Sequence, residues 1–91
     1  MITLEYTKTF LKEARTLPKI LKPKLAEQLE RLSKNPFDPQ LKTKPLKGQL
    51  AGYYSFRITR EHRVIFEFLT PTTIKLLTLA HRKDIYKKFN P

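Results

Sequence analysis

The chain has 91 residues, with 19 Lys/Arg against 8 Asp/Glu, a formal net charge of +11 and no cysteine. Residues 1–91 suffice for one domain with one core, burying roughly 60–65% of the unfolded surface. The charge points to a polyanionic partner; a disulfide scaffold is excluded, and no apolar run approaches the roughly 20 residues of a membrane helix.

Ile2-Thr3-Leu4-Glu5-Tyr6 alternates and predicts a short strand. The start MITLEYTKTF lacks the basic-then-apolar order of a signal peptide, so a cytoplasmic protein is expected. Thr7 suits a helix N-cap, and Tyr6, Phe10, Ala14 and Leu17 recur at helical spacing, so a first helix should stop at Pro18. Leu21, Leu25, Leu29 and Leu32 form the stripe of a second helix. Pro23 falls in its first turn, and Asn35-Pro36 ends it. Residues 36–52 are a Pro- and Lys-rich connection, longer than a simple turn requires.

Two strands follow, around a loop at Thr59-Arg60-Glu61. Tyr54, Phe56, Ile58, Val64, Phe66 and Phe68 share one face, expected to meet the helices. Tyr53, Ser55, Arg57, Arg63, Ile65 and Glu67 share the other, expected to be open. That loop sets Arg57 opposite Arg63, a like-charge pair that destabilises a ladder unless an anion sits there. Thr70 to Thr73 should turn the chain, Ile74 to Ala80 should form another strand, and Arg82 to Phe89 a short terminal helix with Ile85, Tyr86 and Phe89 as its apolar side. The expected fold is α+β: a four-stranded, largely antiparallel sheet with two helices on one face and a short C-terminal helix.

The stretch Pro45-Leu46-Lys47-Gly48, Leu50, Gly52-Tyr53, Ser55, Arg57-Ile58-Thr59 and Glu61-His62-Arg63, with the ending His81-Arg82-Lys83-Asp84-Ile85-Tyr86, resembles the RelE/ParE superfamily of type II toxin–antitoxin toxins. The hairpin is most similar to the YoeB branch and the ending to other RelE-type members. The resemblance implies a toxin that cleaves messenger RNA in the ribosomal decoding site without a metal or other cofactor. It also implies neutralisation by an antitoxin encoded alongside, in a hetero-oligomeric complex. Two alternatives stay open: a ParE-like inhibitor of DNA gyrase, and an inactive homologue that binds RNA or antitoxin.

Metal-free RNA cleavage needs a base for the 2′-hydroxyl, cations for the phosphate and an acid for the departing 5′-oxygen. Arg57 and Arg63 suit the cation role, because a guanidinium fork binds phosphate oxygens two at a time. Arg63 aligns with the family's phosphate-stabilising arginine; the plain alternative is ion pairing with Glu61 or Glu67. His81 is the acid–base candidate. An odd-length loop before the last strand puts it opposite Arg63, whereas a two-residue Pro71-Thr72 loop turns it toward the helices. Tyr86 matches a C-terminal tyrosine of several family members and could stack on a base. Lys44, Lys47, Arg82 and Lys83 come from the two basic clusters and are expected to hold the RNA backbone. Lys44 stands where the YoeB pattern has a glutamate, so that carboxylate cannot be carried over; Glu67 is a distant alternative base. Two histidines and scattered carboxylates predict no metal site.

Overall fold

The structure, a computed structural model, describes residues 1–89. It runs β1 (Thr3–Tyr6), α1 (Lys8–Thr16), α2 (Lys22–Lys34), β2 (Lys44–Pro45), β3 (Tyr54–Arg57), β4 (His62–Thr70), β5 (Thr73–His81) and α3 (Ile85–Lys88). The sheet order is β1-β5-β4-β3-β2, with β1 parallel to β5 and every other pairing antiparallel.

The helix signals act as read. The Phe10 N–H donates to Thr7 Oγ1 at 3.1 Å, and that hydroxyl also reaches the Leu76 carbonyl at 2.9 Å, so one side chain caps α1 and pins it to β5. Pro23 sits in the first turn of α2, where no helical bond needs its missing N–H. Phe10 and Leu17 of the α1 segment, and Leu25 and Leu32 of α2, bury themselves against Phe56, Val64, Phe66, Ile74 and Leu76 of the sheet. This is the main core, on the expected face.

Three expectations need correction. The sheet has five strands rather than four, because the connection contributes β2, pairing Lys44 with Ser55 and Pro45 with Tyr54. Proline is tolerated there because β2 is an edge strand. The terminal helix is only Ile85–Lys88, with residues 82–84 forming the turn before it. The second sheet face is also covered rather than open. Leu46, Ile65 and Ile85 are buried on it, with Leu50, Tyr53, Leu77, Ala80 and Phe89 around them. A second small core thus fixes α3 and the 46–53 loop against the sheet.

The β4–β5 ladder carries two compensating irregularities. Thr70 pairs with Thr73 around a two-residue turn, Phe68 with Ile74, and Phe66 with Leu76, but Ile65 with Thr78. Leu69 is extra on one strand and Leu77 on the other, so the shifts cancel. The far end returns to the turn's own register, with Arg63 opposite Ala80 and His62 opposite His81.

Candidate functional site

Ile58 N–H donates to the His62 carbonyl at 2.9 Å, closing the β3–β4 hairpin. Arg57 and Arg63, one step inward, therefore form a non-hydrogen-bonded pair, the closer of the two antiparallel arrangements at about 4.5 Å between Cα atoms. Strand alternation puts Lys44, Ser55, Arg57 and Arg63 on one face. Arg63 is only 8% exposed and Ser55 only 1%.

Ser55 Oγ, Arg57 Nε and Arg63 Nε are buried, and none finds a hydrogen-bond partner among the described residues. Native proteins rarely leave such groups orphaned, because each costs about 1–3 kcal/mol. Four of the eight acidic side chains are occupied elsewhere: Glu13 on Lys88, Glu27 on Lys24 and Arg31, Glu30 on Lys34, Glu61 on His81 and Arg82. Among the described residues, neither Arg57 nor Arg63 has an ion-pair partner, so the ion-pair alternative with Glu61 or Glu67 fails. Two facing guanidinium groups without acidic partners suit the oxygens of an anion.

A groove of about 490 Å³ lies beside this face, lined by Lys44, Pro45, Leu46, Lys47, Leu50 and Tyr86. The Lys44 ammonium stands 6.0 Å from the centre of the Tyr86 ring, an outer-limit cation–π distance. Tyr86 is 37% exposed, so one ring surface remains available. The four-residue helix carrying it has two holds. Ile85 is fully buried beneath it. Lys88 pairs with Glu13, whose other oxygen accepts from Thr78 Oγ1 at 2.8 Å and from the Leu79 N–H at 3.0 Å. Those β5 groups lie beyond the end of β1, so Glu13 caps a free strand edge while anchoring α3.

His81 is not brought to the arginines. The register sets it beside His62, with ring centres 5.6 Å apart, on the face opposite Arg63. Its Nε2 lies 3.1 Å from Glu61, and its Nδ1 accepts the Lys83 N–H at 3.1 Å. Burial is the main cause lowering the pKa of His62, followed by the charge of His81, against a raising pull from Glu61. Arg82 is tied to Glu61 at 3.5 Å, and Lys83 is exposed in the turn before α3. Lys44, Lys47, Arg57, Arg63 and Tyr86 thus assemble on one side, while His81 and Arg82 cluster with Glu61 at the end of the sheet. Among the described residues, no group of three His, Cys, Asp or Glu is placed to hold a metal ion.

A family model described as "YoeB-like toxin of bacterial type II toxin-antitoxin system" matches residues 5–83. The chain belongs to that family. Toxin YoeB of Escherichia coli K12 is 40% identical over 43 residues, which is 47% of this chain and 51% of that protein. The matched stretch therefore spans about half the length of this curated relative. The YoeB/ParE toxin from Agrobacterium tumefaciens has the same fold, with a TM-score of 0.75, 24% identity and coverage of 89% and 99% of the two chains. The toxin–antitoxin complex RelBE2 from Mycobacterium tuberculosis gives a TM-score of 0.74 at 28% identity, covering 89% of this chain and 98% of that one. The family match and the RelBE2 neighbour place this YoeB-like toxin in the RelE/ParE superfamily that its hairpin resembles.

Sequence reading put Ser55 on the right face but gave it no task, and it did not foresee the approach of Lys44 to Tyr86. The first had a signal in the period-2 alternation with Arg57. The second had none, because 42 positions separate the two residues (86 − 44) and only the folded connection brings them together.

Proposed function

We propose that this YoeB-like toxin is a ribosome-dependent endoribonuclease that cleaves messenger RNA and so stops translation. The observation that carries the proposal is the facing pair Arg57 and Arg63, neither with an ion-pair partner among the described residues. In this reading, Arg63 and Arg57 bind the non-bridging oxygens of the scissile phosphate and stabilise the charge gained as the 2′-oxygen attacks. The bond to the 5′-oxygen breaks, leaving a 2′,3′-cyclic phosphate and a 5′-hydroxyl. Lys44, Lys47 and the Tyr86 phenol are the proton-exchanging groups beside the arginines, and the exposed Tyr86 ring gives a base something to stack on. Arg82 and Lys83 extend the basic surface for the RNA backbone. His81, held between Glu61 and the Lys83 amide, supports the turn into α3 in this reading.

Two partners follow: the translating ribosome, and an antitoxin encoded alongside that forms a hetero-oligomer with the toxin in the cytoplasm. A face this basic favours an antitoxin segment with acidic side chains. The test is a translating extract in which message 5′ ends are mapped for the parent chain and for Arg63→Ala. Cleavage with 5′-hydroxyl ends by the parent, lost in Arg63→Ala, is expected. Intact message together with arrested DNA supercoiling sinks the proposal in favour of a gyrase inhibitor.

A further inference from the structure

Behind Arg57 lies a side chain that the RNA-cleaving reading does not use. Gln28, in the middle of α2, is 1% exposed. One amide N–H pair reaches two carbonyls: Nε2 donates to Arg57 O at 2.7 Å and to Gln40 O at 3.1 Å. The oxygen end is fixed as well, since Arg31 Nη1 donates to Gln28 Oε1 at 2.7 Å and Arg31 Nη2 pairs with Glu27 at 2.7 Å. With the oxygen claimed by a guanidinium, the amide can point only its donors at the sheet.

The strand geometry explains why Arg57 needs this. Arg57 and Arg63 are a non-hydrogen-bonded pair, so the Arg57 main-chain groups point away from β4, toward the β2 edge. β2 is only two residues long and pairs no further than Ser55. The Arg57 carbonyl therefore emerges where the ladder has ended, and the Gln28 amide takes the place of the absent strand. Gln40 lies in the single turn Pro39–Leu41 that leads into β2, so its carbonyl gives the amide a second fixed point.

We propose that Gln28 is a positioning residue for the phosphate site: it fixes the main chain of Arg57 and thereby the direction of the guanidinium opposite Arg63. The claim rests on the RNA-cleaving reading above for its consequence, but not for its geometry.

Two measurements on the full chain separate the claims. The first is a double-mutant cycle on message cleavage with Gln28→Met and Arg57→Ala. If Gln28 acts through Arg57, Gln28→Met slows cleavage about tenfold in the parent and less than about twofold in the Arg57→Ala background. An equal loss in both backgrounds, as a general weakening of the fold produces, overturns the proposal. The second needs no cleavage: the Arg57 Nε–H resonance, identified by its loss in Arg57→Lys, should move in Gln28→Met. An unmoved resonance overturns the positioning claim. If the parent chain leaves message intact, the RNA-cleaving reading falls and the resonance alone decides the role of Gln28. Should Gln28→Met fail to fold, Gln28→Asn, whose shorter amide cannot span both carbonyls, is read by the same two criteria.

Discussion

Replacing Arg63 with methionine should make the protein more stable and inactive at once. Arg63 is 8% exposed, its Nε has no partner, and Arg57 faces it across the ladder. A buried unsatisfied donor costs about 1–3 kcal/mol, and a like-charge cross-strand pair adds about 0.2–1 kcal/mol. Methionine keeps an unbranched stem of similar reach and removes both costs, while losing the solvation of the guanidinium tip and some packing. A net gain of about 1 kcal/mol remains, which in a domain this size raises the melting temperature by about 4–8 °C. Cleavage of ribosome-bound message should fall about 10²–10³-fold, the usual loss when one preorganised donor at a developing charge is removed. A third readout ties the two together: added RNA should raise the melting temperature of the parent and have less effect on Arg63→Met. Thermal melts and 5′-end mapping suffice. A melting temperature lowered by several degrees would mean that protein groups already satisfy the guanidinium. Unchanged cleavage would remove Arg63 from the site.

Three further outcomes are expected. Tyr86→Ala should slow cleavage about tenfold or more, since a stacked base is worth about 1–3 kcal/mol, whereas Tyr86→Phe keeps the ring and should stay near the parent; equal losses would shift the role from the ring to the phenol proton. Burial of His62, with His81 beside it, lowers its pKa from the ordinary 6.5, so the unfolded chain takes up a proton the folded chain resists. Its contribution to stability is complete above about pH 6.5 and is lost as pH falls through the lowered folded value, so melting temperatures from about pH 7.5 to about pH 5 should decline more steeply for the parent than for His62→Gln. Parallel profiles would show that His62 is not the group responsible. Ile85→Ala empties a fully buried position under α3 and should cost about 2–4 kcal/mol, with faster tryptic cutting at Lys87 and Lys88; an unchanged cutting rate would mean that Glu13 and Lys88 hold the helix without it.

Local periodicity made much of this legible. The Leu25/Leu32 stripe, the Thr7 cap and the Pro18 stop gave the two long helices, because each signal acts within a turn or two of chain. The alternation through Phe56, Arg57 and Ile58, with the Thr59-Arg60-Glu61 loop, gave the pairing of Arg57 with Arg63, because in a tight hairpin the loop length sets the register. Gln28 was hidden for the opposite reason. It lies between Leu25 and Leu32 on the buried side of α2, but only the end of β2 tells what it meets there.

By itself, then, the sequence determined the charge, the helices, the hairpin register and the facing arginines, all set by contacts between near neighbours. Tertiary structure alone decided the parallel pairing of β1 with β5, the burial of the second sheet face by Leu46 and Ile85, and the approach of Lys44 to Tyr86. It also decided the face of His81, through two bulges that cancel along one ladder. Such features depend on where segments distant in the chain come to rest, and no local pattern carries that information.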